Sequence, residues 1–235
     1  MPRKYENLSF FNPKQVEEKI FSPHPFYGLH IMQGYVVHSS LYINRLTQVC
    51  RDLGVEIIDS KIETLDALKQ YNQTILCSGY GFKDLIFRPS LKGVKGQILY
   101  VKTKNPICHL PVIAQGYICP TQDPYKYIIG SSYEHHFKNP LPHIEEAKIK
   151  ILKPWEKIFP ELAHATILKC ESAVRVMNPP NYLPFLERVT NKLVFFSGLG
   201  SRGLLYHAYL AKALAFSISR NQTPSISHQF LKGMW

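Results

Sequence analysis

The chain has 235 residues, with 28 Lys and Arg against 17 Asp and Glu, a formal net charge of +11. A composition 45% hydrophobic and 19% charged supports a packed core and excludes a disordered or low-complexity chain. No apolar run reaches the ~20 residues of a membrane span and no basic-then-apolar leader opens the sequence, so no membrane partner is expected.

The positive balance favours an anionic partner, nucleic acid being the commonest, but the lysines are dispersed, and plain solubility explains them equally well. Five cysteines, an odd number with no CxxC pair, read as reduced thiols of a cytoplasmic protein, each expected in a packing role.

Along the chain, Asn12-Pro13 has the form of a helix cap followed by proline at the first helical position, and predicts a short helix to Ile20. Residues 22–33, rich in Pro, Gly and His, read as loop or irregular strand. After residues 34–37, Tyr42, Leu46, Val49, Cys50 and Leu53 recur at helical spacing and predict an amphipathic helix ended by Gly54. Residues 55–58 and 74–77 read as short strands. Residues 96–104, 112–119 and 125–133 read as strands of a mostly antiparallel sheet, separated by Asn-Pro and Asp-Pro turn signals. Residues 142–159 carry a helical apolar stripe that Pro154 is expected to kink. A strand pair is expected over residues 166–177, stopped by Pro179-Pro180. The last unit is a strand at 192–197, a glycine-rich turn, and an apolar helix to about Ile218.

That turn, Gly198-Leu199-Gly200-Ser201-Arg202-Gly203, fits GxGxxG between a strand and a helix. Glycines allow close backbone approach, and the free N–H groups of a helix start attract negative charge. A complete dinucleotide site also needs a second strand ending in an acid ~20 residues later, and none follows. Two readings remain: tight strand–helix packing without a ligand, or a turn that meets one part of a cofactor held mainly elsewhere.

The run from Gly198 to Leu204, followed by its apolar helix, resembles the C-terminal flavin motif of the D-amino-acid-oxidase-type FAD-dependent oxidoreductases. Within that family it is most similar to the oxidase domain of the bifunctional tRNA 5-methylaminomethyl-2-thiouridine biosynthesis proteins. Other pieces fall in the family's order. Gln33-Gly34-Tyr35-Val36 resembles the "GGW" strand, and residues 75–79, with Ser78 and Gly79, resemble the strand ending beside FAD. Lys95-Gly96-Gln97 resembles "RGQ". Residues 116–120 with 129–133 resemble "GYLTP…IGASY", and Val174-Arg175-Val176 with Leu183-Pro184 resembles "GVR…LP".

The resemblance implies a mixed α/β fold, an incomplete FAD-binding Rossmann-like domain with an inserted antiparallel-sheet substrate domain. Residues 34–90 and 190–235 would form the partial FAD-binding part, and 1–33 and 91–189 the substrate part. FAD would be the cofactor, contacted by Ser78, Gly79, Gly198, Leu199, Gly200, Ser201, Arg202, Gly203 and Leu204. The family's first βαβ unit, which grips the ADP half of FAD, has no counterpart upstream of Gly34. An N-terminal partner segment is therefore expected to complete the site. No Asp follows Arg175 as in the family; Asn178-Pro179-Pro180-Asn181 occupies that stretch.

The chemistry implied is hydride transfer to the flavin from a carbon beside an amine nitrogen, then hydrolysis of the imine by water, with oxygen reoxidising the flavin to give peroxide. Arg175 on an inner strand needs an anionic partner. A planar guanidinium grips a carboxylate through two parallel hydrogen bonds, so the tail of a small carboxylated amine, or of a carboxymethylaminomethyl group on a tRNA wobble uridine, would suit it. A structural pair with Glu171 or Glu187 is the alternative. Tyr133 would face the substrate or sit in the sheet's core, and Arg202 would either charge the flavin site or form a surface salt bridge. His135, His136, Glu134 and His143 fit no metal-ligand spacing, and His207 on the apolar helix reads as a hydrogen-bonded core residue. The rival to the oxidase reading is a redox-inactive remnant that serves as a basic RNA-binding module.

Overall fold

The structure is a computed structural model describing residues 7–179 and 181–232, so Pro180 of the expected Pro-Pro stop lies outside the described residues. It divides into two compact units. The first holds residues up to Ser60, Gln97–Ser132 and Pro142–Glu171; the second holds Lys61–Gly96, Tyr133–Leu141 and the chain from Ser172 onward.

In the first unit β1 (Leu8–Phe11) pairs antiparallel with β2 (Gly28–Ile31). Between them lies α1 (Pro13–Glu17), opened by a reciprocal cap: Asn12 Oδ1 accepts from the Gln15 N–H and Gln15 Oε1 from the Asn12 N–H, both at 3.0 Å. It stops at Glu17, short of the predicted Ile20, which bridges instead to Cys108. Helix α2 (Ser39–Asp52) forms where the periodicity placed it, ended by Gly54 at φ +80°. Its apolar face stays in solvent, however, with Leu41, Ile43, Leu46 and Val49 all exposed and no residue of the helix buried. Residues 33–36, likened to a strand of the family, and 55–58, expected as a strand, are irregular. A strand exists only by lending its N–H and C=O groups to a neighbour, and no described strand pairs with either segment.

The predicted antiparallel middle forms a five-stranded sheet ordered β5-β6-β7-β4-β8, from β4 (Lys92–Lys102), β5 (Val112–Ile113), β6 (Tyr117–Pro120), β7 (Lys126–Gly130) and β8 (Thr166–Met177). Residues 166–177 are thus one strand of 12 residues, not the strand pair expected. Leu99, Val101, Ile118, Tyr127 and Ile129 alternate onto one face and bury with Ala147, Ile151, Leu152, Trp155 and Phe159 from a helical segment. That segment runs as α3 (Ile144–Ala147), a π turn (Lys148–Leu152) and α4 (Lys153–Trp155). Pro154 acts as a turn-widener more than a kink: it has no N–H to donate and its ring crowds the carbonyl of Lys150, so the preceding turn opens. His143, weighed as a metal ligand, caps α3, its Nδ1 accepting from the Glu146 N–H at 3.2 Å.

In the second unit four strands lie in the order β11-β9-β10-β3: β11 (Leu231–Lys232), β9 (Phe185–Thr190), β10 (Leu193–Ser197) and β3 (Thr74–Leu76). β10 is parallel to β3, with Val194 opposite Ile75, and antiparallel to β9. Both its faces are covered, which accounts for its unbroken apolar sequence. Phe195 packs with Leu76, Phe82, Val176 and Phe185; Val194 and Phe196 pack on the other face with Leu210 and Leu214 of α5 (Gly203–Arg220). Arg88 and Glu187 form a two-pronged pair at 2.8 and 2.9 Å.

No described helix is long and apolar enough to cross a membrane. All five cysteines are free thiols; Cys108 is buried in the core and half-buried Cys170 packs against it, as expected, whereas Cys119 is half-buried and Cys50 and Cys77 are exposed.

Candidate active site

The turn between β10 and α5 fixes the site. Gly198 adopts φ +77° and Gly200 φ +52°, left-handed conformations that side-chain-bearing residues pay to enter. A Cβ on Gly198 would also press on Phe185 and Asn178, at 3.2 and 3.3 Å. The chain then makes one 3-10 turn (Gly200–Arg202) and enters α5. At the end of β3, Gly79 has φ +53°, and a Cβ there would meet nothing within 4 Å. The two turns thus bring backbone without side chains to the same place.

Between them is a cavity of about 600 Å³, largely apolar. Of the site residues singled out from sequence, Gly79, Arg175, Gly198, Leu199 and Gly200 line it; Ser78, Tyr133, Ser201, Arg202, Gly203 and Leu204 do not. Arg202 is exposed and donates Nη1–H to the Tyr182 carbonyl at 3.3 Å; it does not line the cavity, and among the described residues it forms no salt bridge of the kind considered for it. One flank of α5 supplies the rest of the wall through His207, Ala211, Leu214 and Ala215, an i, i+4, i+7, i+8 spacing that was readable in the sequence. His207 makes the hydrogen bond expected of it, Nδ1 to the Gly203 carbonyl at 2.8 Å, and also faces the cavity. Cys77 is a wall residue that the sequence reading missed; the residue as a whole is exposed, but the protein around its thiol raises its pKa above the ordinary value.

Arg175 is the charged group of this lining. Both carboxylates weighed as its structural partners are engaged elsewhere: Glu187 with Arg88, and Glu171 with Lys169 and with the Tyr100 hydroxyl at 2.9 Å. Those bonds hold the Glu171 carboxyl below its ordinary pKa. The Arg175 guanidinium lies against the backbone of Gly96, where any Cβ would collide with Nη2 and come within 3.0 Å of Cζ. Tyr133 stands beside it, half-exposed, its hydroxyl donating to Met177 Sδ at 2.7 Å.

The sequence matches the DAO model, described as FAD dependent oxidoreductase, over residues 3–217. The chain belongs to that family. FAD is accordingly the family's cofactor, and the fold is that of its solved members. Glycine oxidase from Geobacillus kaustophilus superposes with a TM-score of 0.80 at 14% identity, over 98% of this chain and 68% of that one. Iminodiacetate oxidase from Chelativorans sp. BNC1 gives 0.70 at 17%, over 97% and 67%. Fructosamine oxidase (Amadoriase II) from Aspergillus fumigatus gives 0.76 at 14%, over 97% and 66%. The chain spans about two thirds of the length of each. No curated protein matches it in sequence.

The residues present fit a flavin. Three glycines at positive φ leave room for a flat ring system against bare backbone, and the wall is apolar. The buried Ser78 hydroxyl, next to Gly79, has no hydrogen-bond partner among the described residues. Buried polar groups normally find one, and a cofactor's polar edge would supply it.

Proposed function

We propose that this chain is the substrate-binding and ring-contacting portion of a cytoplasmic FAD-dependent amine oxidase for secondary amines that carry a carboxylate, the carboxymethylaminomethyl group of a tRNA wobble uridine being the substrate it suits best. The observation that carries the reading is the lining of one cavity by both the 198–200 turn and Arg175. In it, residues 34–90 and 190–235 serve the cofactor and residues 1–33 and 91–189 the substrate.

When bound, the flavin supplies the acceptor for a hydride leaving the carbon next to the amine nitrogen. The work of this chain is placement. Arg175 would take the substrate carboxylate in its planar fork, fixing the carbon between carboxylate and nitrogen in one orientation. The Tyr133 ring closes one side of that fork. Gly79, Gly198, Leu199 and Gly200 would seat the ring system, and the Ser78 hydroxyl would donate to or accept from its polar edge. The apolar flank of α5 keeps water off the reacting carbon. Water then hydrolyses the imine, releasing glyoxylate and leaving the primary amine.

Names of structural neighbours support the class of substrate: glycine oxidase, iminodiacetate oxidase and fructosamine oxidase are all named for oxidation of amines. The net charge of +11 supports an RNA-borne amine. About a third of each neighbour's length has no counterpart among these residues, which supports further polypeptide, outside this sequence, that completes the FAD site.

The test combines the chain with such a segment and FAD, then follows flavin absorbance migrating with the protein. Glyoxylate release is measured from N-carboxymethyl amines and from tRNA bearing the modified uridine. Flavin uptake with carboxylate-dependent oxidation is expected. Failure to take up flavin overturns the reading and leaves the redox-inactive RNA-binding module; equal oxidation of amines with and without a carboxylate overturns the carboxylated substrate and the role of Arg175.

A further inference from the structure

A second cavity lies in the same unit, away from the glycine turn. It measures about 520 Å³ and is walled by the 3-10 turn Gly79–Asp84, the loop leading into β4, and residues 135–137. Lys83, Arg88, Lys92, His135 and His136 line it, and no Asp or Glu does. Arg88 is committed to Glu187, which leaves the two lysines as its uncompensated charge; among the described residues neither is in an ion pair. The Lys83 ammonium donates to the Tyr80 hydroxyl at 2.5 Å and stands 4.3 Å from that ring's centroid. An ammonium has three N–H donors, so Tyr80 takes one and leaves the others for a ligand.

Aromatic surface is interleaved with this charge. The Tyr80 ring lies on the backbone of Gly93, where a Cβ would collide with it and with Val174 Cγ1 at 3.0 Å. Phe137 packs on Tyr80 at 5.9 Å, and Phe87 stands on the rim 81% exposed. A solvated lysine face needs no concavity and no exposed phenyl ring. Cations, ring faces and an absence of acids in one hollow are what a phosphate attached to a planar base requires.

We propose that this cavity binds a nucleotide, its phosphate held by Lys83 and Lys92 with imidazole N–H groups of His135 and His136 as further donors, and its base stacked on Phe87. The site needs no flavin and stands whether or not the chain oxidises amines. The nucleotide is either free or one residue of an RNA strand, and the experiment separates the two.

Binding of UMP, uridine, inorganic phosphate and octauridylate is measured by calorimetry on the chain without FAD; a uracil nucleotide avoids the adenosine half of the cofactor. UMP is expected to bind about tenfold or more tightly than uridine or phosphate alone. The K83A/K92A double variant should weaken UMP about tenfold or more. F87A should weaken UMP and leave inorganic phosphate unchanged. All three side chains are exposed, so their removal leaves the fold intact, which thermal unfolding verifies. Tighter binding of octauridylate than UMP, with a log–log salt slope that falls by about 1 per lysine removed, assigns the site to an RNA strand. Equal affinity assigns it to a free nucleotide. UMP binding no tighter than phosphate, or unchanged in K83A/K92A, overturns the proposal.

Discussion

The guanidinium carbon of Arg175 lies 5.4 Å from the centroid of the Tyr133 ring. A cation over an aromatic face is attracted by the ring, which helps to hold the fork in one orientation, and on the proposed reading that fork takes the substrate carboxylate. Arg175→Met should therefore raise KM for a carboxylated amine by about a hundredfold, two charge-assisted hydrogen bonds being worth about 3 kcal/mol together. FAD occupancy should stay unchanged. Steady-state kinetics with a flavin titration of the complete enzyme check this; equal loss of flavin and activity would make the arginine structural.

Gly198→Ala should destabilise the second unit by about 1–3 kcal/mol, because φ +77° is strained for alanine and Phe185 and Asn178 crowd the new methyl. Gly203→Ala is the control. Its φ of −54° is helical and the nearest obstacle is Leu199 Cβ at 4.0 Å. It should be neutral or gain about 0.5–1 kcal/mol. Urea midpoints of the two variants should move in opposite directions or differ by that sum.

Trp155 is fully buried beneath the five-stranded sheet, and its indole Nε1 has no hydrogen-bond partner among the described residues. Trp155→Ala should cost about 3–5 kcal/mol. Trp155→Phe loses volume but also removes a donor that burial strips of water at a cost of about 1–3 kcal/mol. It should cost much less, and a calorimetric scan in which both variants fall equally would show that the indole N–H is solvated.

Arg88 and Glu187 are each about three-quarters buried or more, at 27% and 19% side-chain exposure. Arg88→Met strands a carboxylate and should cost about 1–3 kcal/mol, whereas Arg88→Met with Glu187→Leu should recover most of it. A double-mutant cycle by urea denaturation gives the answer. An additive double variant would mean that the pair is decoration.

Burial, and after it the neighbouring Cys119, raises the Cys108 thiol from 9.0 to about 12. The native state therefore keeps this proton where the unfolded chain loses it. Its contribution is intact below pH 9 and declines as pH rises from there toward 12. The wild type should lose more stability between pH 8 and 10.5 than Cys108→Ala, measured by denaturant midpoint. Iodoacetamide at pH 8 should label exposed Cys50 and spare Cys108 until the chain unfolds, as peptide mass mapping would record.

What the sequence disclosed was whatever depends on neighbours along the chain. Asn12-Pro13, the α2 periodicity and the strand–glycine–helix unit at 193–220 are local grammar, and each formed near its predicted place. Residues 55–58 have strand composition but no partner strand, and composition cannot supply a ladder. β9 went unread because Glu187 and Arg188 break its apolar pattern, and the cation that neutralises Glu187 is Arg88, from a distant loop. Within the active site the glycines were legible because their backbone angles demand them. Cys77 and the α5 flank were not singled out, because what makes them a wall is the packing of β3 and β10 side by side. The nucleotide cavity is assembled from residues 80–93 and 135–137, and no linear motif announces it.

Gly96 is conspicuous for what it lacks. The seat of the Arg175 guanidinium is a patch of naked main chain, and the obstacle that a methyl would meet is the far end of a flexible side chain, which can swing aside. Alanine at 96 would thus relocate the positive charge without unfolding the strand. On the proposed reading, the anionic tail that Arg175 would accept is therefore adjustable by one carbon atom, set at a position lying outside the cavity's lining.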